Sequence, residues 1–278
     1  FTVLKDASAT AVYGVRGANG VIIINTKSGS KGKPKFSFRY TEGITMPTKI
    51  TDFVDGAKFM EVSNEASMTR GGQAIYSRNE IEMTRSGADP YIYPNVDWME
   101  QILRDFSRNR SANLNIQGGS DQATYYVGLS MYDENGMYKD AKSVDYDNNT
   151  YYRRYNVTSN LTLTPTRTTE IKLGVQGYLA NANYPGTGRG TIFDKAYFTS
   201  PIYVAPIYPD GKLGDRPSHG VQNPYALLGY TGYANQWRSQ VFSNLRLTQK
   251  LPFILEGLST TGMFSFDSYA YTSNRFTK

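Results

Sequence analysis

The sequence predicts an all-β fold of about seven antiparallel strands, a membrane barrel in preference to a soluble sandwich. Seven segments alternate apolar and polar residues with the period of a strand that has two unlike faces. The connections between them alternate short and long, the arrangement of barrels with tight turns on one side of a membrane and large loops on the other. The polar face is made of Asn, Thr, Gln and Tyr with occasional Arg, as in a hydrated lumen, where a water-facing sheet would carry many Lys and Glu. Alternation alone does not say whether the apolar face meets a protein core or lipid, so the sandwich stands as the competing architecture.

The first thirty residues differ in kind. A short polar, alanine-rich stretch leads into Gly14, Gly17 and Gly20, spaced GxxGxxG, and then into the aliphatic residues 21–24. Here the strand follows the glycines, whereas a dinucleotide fingerprint has the strand first, so the glycines read as tight turning. A strand is expected over 21–25 and a turn over 16–20, in which Arg16 serves packing or a hydrogen bond.

The alternating segments follow. Phe36, Phe38 and Tyr40 oppose Lys35, Ser37 and Arg39, while Ala112, Leu114 and Ile116 oppose Asn113, Asn115 and Gln117. The third sets Tyr125, Val127, Leu129 and Met131 against Thr124, Tyr126, Gly128 and Ser130. The fourth sets Tyr155, Val157, Leu161 and Leu163 against Arg154, Asn156, Thr158, Asn160 and Thr162. Ile171, Leu173, Val175 and Leu179 oppose Glu170, Lys172 and Gln176; Val241, Leu245 and Leu247 oppose Gln240, Asn244 and Arg246; Phe264 and Phe266 oppose Ser265 and Asp267. None of these apolar faces carries a charge. Tyr40, Tyr125 and Tyr155 near segment ends suit an interfacial girdle, the ring part-buried and the hydroxyl wet.

Residues 118–121, the Pro165 region and residues 252–257 have turn chemistry and read as tight links. Connections of about 45–110, 133–150 and 181–236 are far longer than ordinary loops. The first carries helix signals: Ser77 with Glu80 at capping-box spacing and Gly87 to close, Asp97 with Glu100 ahead of Trp98, Ile102 and Leu103, and Asp55 as a cap with Phe59, Val62 and Ala66 on one face.

Composition narrows the function classes. No apolar run approaches the roughly 20 residues of a membrane helix. The chain of 278 residues has no cysteine, which removes disulfides and thiolate metal sites, and its one histidine, His219, removes multi-histidine sites and paired-histidine catalysis. The 14 % of aromatic residues argues against disorder. The net charge of +6 is scattered without a Lys/Arg block, so nucleic acid is not an expected partner. No catalytic residue and no cofactor is expected. Asp145, Asp147 and Asn149 have the spacing that opens a calcium loop, but Thr150 and Asn156 stand where Gly and Glu are needed, so they read as solvated loop. The third long loop is crowded with rings, and Tyr184, Phe193, Tyr197, Phe198, Tyr208, Tyr225, Tyr230 and Tyr233, with Arg189 and His219, are the candidate contacts for a ligand or a partner.

The string VLKDASATAVYGVRGANGVIIINTK over residues 3–27 resembles the end of the plug domain of SusC/RagA-type TonB-dependent outer-membrane transporters of Bacteroidetes. Asn64-Glu65-Ala66, YPNVDW over 93–98 and the GGS turn at 118–120 resemble the same family in order and spacing, so the likeness spans about the first half of the chain. The resemblance implies the end of a small α/β plug over 1–30, and over 31–278 the first seven strands of a 22-stranded barrel with extracellular long loops. Beginning at Phe1 without Met or a signal-type stretch, the chain is expected to be an internal fragment. The implied function is TonB-driven import of oligosaccharides or peptides across the bacterial outer membrane, with a SusD-like surface lipoprotein as lid and TonB engaging a segment upstream. A passive porin, a surface adhesin or a soluble carbohydrate-binding domain are the alternatives.

Overall fold

The computed structural model describes residues 2–5, 14–15, 17, 19–23, 26–140, 145–216 and 222–278. Two short strands, β1 (Thr2–Leu4) and β2 (Val21–Ile23), pair antiparallel near the start, Val3 opposite Ile22. Gly20, at φ 90°, closes the turn before β2 by donating its N–H to the Gly17 carbonyl at 2.9 Å. The pairing of β1 with β2 was not expected from the sequence, and Arg16 lies outside the described residues.

The remaining strands form one antiparallel meander in chain order: β3 (Gly32–Thr45), β4 (Ser107–Gly119), β5 (Ala123–Asn135), β6 (Tyr151–Leu163), β7 (Thr169–Pro185), β8 (Gly232–Lys250) and β9 (Ser259–Thr277). β3 and β9 are its two edges. The short links carry the expected chemistry. In the β4–β5 turn the Ser120 N–H donates to the Ala123 carbonyl at 2.7 Å. Gly119 has φ 154°, and a Cβ there would lie 2.3 Å from that same carbonyl oxygen, so only glycine fits.

Register puts every apolar segment on one face. A single row runs Phe38, Leu114, Leu129, Val157, Gly177, Val241, Ser268 across all seven strands. No second layer covers that face: Val241 is 40 % exposed, Leu129 47 % and Phe36 71 %, while Leu114, Ile116, Val127 and Leu161 are part-buried only by their neighbours on the same sheet. The chain exposes 18539 Å², about half again the roughly 12,000 Å² of a compact monomer of 31.1 kDa. A sandwich would have interleaved Leu161, Leu173 and Leu245 between two sheets; they stand on one sheet, and Leu173 and Leu245 are open. Along β6 the band from Tyr155 to Leu163 is roughly 27 Å at strand rise, near the hydrocarbon-facing band of an outer-membrane barrel once tilted. An exposed apolar face of this extent marks a surface made for a membrane or a partner.

The strands extend beyond the alternating segments. The extension adds a charged row on the same face, Glu42, Arg110, Asp133 and Arg153 in register, with Asp133 accepting from Arg110 at 2.6 Å and from Arg153 at 3.3 Å. It lies on the side of the long loops, where an apolar band gives way to water.

Three helices lie in the first long connection: α1 (Gly56–Met68), α2 (Arg78–Arg85) and α3 (Trp98–Ile102). Asp55, Ser77 and Asp97 cap them as the spacing predicts, and Ser77 and Glu80 form the full capping box. That bonding holds the Glu80 carboxyl below its ordinary pKa. The buried face of α1 corrects the expectation. It runs Ala57, Met60, Asn64, and Val62 is 49 % exposed. Asn64 faces inward because its amide accepts from the N–H groups of Ile75 and Tyr76, both at 2.8 Å, and donates to the Tyr76 carbonyl, fixing the segment that follows. Among its described residues the third connection carries two helices that the sequence did not predict, α4 (Arg189–Phe198) and α5 (Pro224–Gly229), the latter capped by Asn223 with Pro224 in its first turn.

Candidate functional site

The polar face of the sheet and the layer of long loops at one end of it make the candidate site. One polar row reads Arg39, Asn113, Ser130, Asn156, Tyr178, Gln240, Tyr269. Its side chains bond across strands: Asn156 donates to Ser130 Oγ at 2.9 Å, and the Tyr126 hydroxyl to Asn115 Oδ1 at 2.7 Å. Asn160 Nδ2, on the same face, donates to the Lys27 carbonyl at 2.6 Å. Lys27, ahead of β3, therefore lies against the polar side.

At the loop end the three long connections share one hydrophobic cluster. Trp98, Met99, Ile102 and Leu103 come from the first, Tyr138 from the second, and Ile192, Ala196, Val204 and Leu228 from the third, with Ile102 and Ile192 fully buried. Backbone bonds tie the same pieces: Lys139 N–H to the Ile102 carbonyl at 2.9 Å, Val96 N–H to the Pro201 carbonyl at 2.9 Å. The Trp98 indole donates to the Ser200 carbonyl at 3.2 Å. Burial pushes the Tyr138 phenol up to about 12, with Arg189 pulling slightly the other way, and its hydroxyl has no hydrogen-bond partner among the described residues.

The candidate rings are dispersed by the fold. Tyr184 and Tyr233 are strand residues, because β7 runs to Pro185 and β8 begins at Gly232. Tyr184 shares the polar face, with the Arg189 guanidinium 5.2 Å from its ring centre. Phe193 packs on Tyr138 at 5.7 Å, and both help line a cavity of about 310 Å³ that also touches Tyr152, Tyr184 and Arg189. Tyr197 meets Phe53 edge-on at 5.3 Å and lies with Phe198, Tyr203 and Trp98 around a cavity of about 430 Å³. Phe198 itself is 81 % exposed. Tyr208 rests on Tyr91 and Tyr225 on Tyr230. Tyr233 takes the apolar side of β8, with Tyr146 and Phe276, away from the polar face. Its parity with Val241 was a readable signal for that. His219 lies outside the described residues. Asp147 accepts from the Asn149 N–H at 3.0 Å in a local turn, and among the described residues no group of three His, Cys, Asp or Glu could hold a metal.

One feature of the polar face was not singled out from the sequence. Arg154 on β6 and Arg238 on β8 both stand opposite Ala180 of β7. Ala180 and Ala182 floor a slot of about 160 Å³ walled by Tyr152, Arg154, Tyr178, Tyr184, Gln236 and Arg238. Arg154 lies over Tyr178 at 4.1 Å and Arg238 over Tyr271 at 5.4 Å. Arg154 bonds through Nε to Asn156 at 2.8 Å, and Arg238 reaches Gln236 at 3.3 Å; neither guanidinium has a carboxylate partner among the described residues.

No family model matches the chain. It is 30 % identical to TonB-dependent receptor P3 of Formosa agariphila over 81 % of its own length and 20 % of the relative's. It is 27 % identical to TonB-dependent receptor SusC of Bacteroides thetaiotaomicron over 98 % of its length and 21 % of the relative's. Among solved structures, the RagAB peptide importer in its open-open state superposes with a TM-score of 0.70 at 19 % identity, covering 98 % of this chain and 32 % of that one. The chain thus spans about a fifth of the curated relatives it matches and takes the fold of the corresponding part of the RagA barrel.

Proposed function

From the premise that this chain is a SusC/RagA-like segment of a TonB-dependent outer-membrane receptor, not an enzyme, we propose that the complete protein actively imports oligosaccharides or peptides across the outer membrane. In this reading the apolar face meets lipid, the polar face lines the passage, and residues 1–30 end a plug that blocks it. TonB supplies the energy that shifts the plug, and a SusD-like lipoprotein closes over the loop layer. The observation that carries the reading is the reach of the likeness to SusC over 98 % of the chain, the stretch before the first wall strand included. A porin or adhesin barrel gives no reason for that stretch, or for the contact between Lys27 and Asn160 on the polar face.

The chemistry agrees with transport. A plug is displaced and restored with no substrate bond broken, so no nucleophile or general base is required. The test is uptake of ligand by cells carrying the complete receptor, with and without TonB. Uptake should collapse without TonB while ligand still binds the cell surface. Equal uptake in both strains would favour a passive porin.

A further inference from the structure

We infer that the slot between β6 and β8 is a subsite for the anionic group of an acidic oligosaccharide, a carboxylate or sulfate carried on a sugar ring. The inference rests on the import reading and adds the charge of the cargo to it. Two guanidiniums flank the same alanine from neighbouring strands, so their backbones stand about 10 Å apart, two strand spacings, with only methyl groups between them. Arg154 and Arg238 have only neutral amides within the described residues, where Lys172 on this same face pairs with Glu170 at 3.0 Å. Arg39 and Arg246 of that face also lack a carboxylate there, but only Arg154 and Arg238 converge on one slot. The rings of Tyr178 and Tyr271 back the two guanidiniums, Arg154 uses only Nε on Asn156, and Arg238 spends one Nη2 donor on Gln236, so each keeps further N–H donors for a planar or tetrahedral anion.

The surroundings favour a sugar acid. Tyr152, Tyr178 and Tyr184 offer ring faces and hydroxyls, and Gln236 offers an amide, groups that match the apolar faces and hydroxyl edges of a pyranose. Capture of a peptide as an added strand is closed at this place, because β6, β7 and β8 are paired on both sides. The slot is smaller than the roughly 300 Å³ at the lower end of sites that enclose a whole ligand, so it takes one unit of a longer chain. It lies near the loop ends of its strands, where cargo arriving from outside would be met first.

The test is calorimetric binding to the purified complete receptor. The probes are tetragalacturonate and its methyl ester, a sulfated galactan tetrasaccharide and its desulfated form, and tetraglutamate. Arg154→Gln and Arg238→Gln should each weaken binding of a charged tetrasaccharide about tenfold, the loss of one charge-assisted hydrogen bond. The uncharged forms should bind the parent and both variants alike, and Arg153→Gln on the opposite face should leave all binding unchanged. Which charged probe responds separates carboxylate from sulfate. The inference is overturned if no charged tetrasaccharide binds the parent, if both variants bind it like the parent, if charged and uncharged forms weaken equally, or if tetraglutamate is preferred with the same arginine dependence. Uptake that depends on TonB but not on the two arginines would remove this inference alone; uptake independent of TonB would remove the import reading.

Discussion

Replacing Ile102 by Ala should loosen all three long loops together. Ile102 is fully buried where α3 of the first connection meets Tyr138 of the second and Ile192 of the third. The substitution removes three carbons worth about 0.8 kcal/mol each on transfer, and the cavity left behind adds to that, giving about 3 kcal/mol within the usual range for such truncations. If the loop layer opens as one unit, its open population should rise roughly a hundredfold. Because the strands have their own ladder of hydrogen bonds, the sheet should keep its strand content. The assay is hydrogen exchange by mass spectrometry on the complete receptor in detergent. Faster exchange is expected over 95–104, 136–140 and 189–205 together, with β5 to β7 unchanged. Acceleration confined to the first connection, or no acceleration at all, would refute the interlocked layer.

Two further outcomes are expected. Leu129→Arg, at the middle of the apolar band, should cost about 2 to 4 kcal/mol and reduce the heat-stable folded barrel on gels, while Ser130→Arg, one residue on and facing the other way, should be tolerated. Tyr138→Phe should match or slightly exceed the parent in loop-layer stability, since it deletes a hydroxyl with no partner among the described residues. The raised phenol pKa favours the proton-bound form in the fold, so the parent's loop layer should hold its stability below pH 10 and lose it progressively as pH rises toward about 12. The Phe variant should lack that part of the alkaline loss, which exchange-corrected proteolysis across that interval can read.

The strands were legible because a two-sided wall imposes a period of two on every residue, and lipid excludes charge from one side of it. Turn and cap chemistry was legible for a similar reason: Gly119 and the Ser77–Glu80 box satisfy needs that are local to a few residues. The loop layer was not. Its cluster joins Trp98 to Leu228 across more than a hundred residues, and nothing in the spacing of either declares the other. For the same reason the rings of the third loop could be named as a group but not sorted into those that pack, such as Phe193, and those that stay open, such as Phe198. Helix α1 shows the limit on a smaller scale. Of Phe59, Val62 and Ala66, Phe59 does pack on the buried cluster, but Val62 stays half exposed and the helix turns inward the polar Asn64, whose partners at 75 and 76 come from folding back. The arginine slot lay between these cases. Arg154 could be assigned to the polar face by parity, but its pairing with Arg238 through Ala180 depends on a register fixed only when β7 and β8 meet across the longest part of the third loop.

The central claim, that one face of this sheet meets lipid and the other lines an aqueous passage, is tested most directly along β6. The chain has no cysteine, so positions 155 to 162 can be replaced singly by cysteine in a complete receptor made cysteine-free elsewhere and set in a bilayer. Each variant is then labelled with a water-soluble thiol reagent and, separately, with one dissolved in the lipid. The account predicts strict alternation: 156, 158, 160 and 162 labelled from water, 155, 157, 159 and 161 from lipid. Labelling of all eight from water, or the opposite phase, would contradict it.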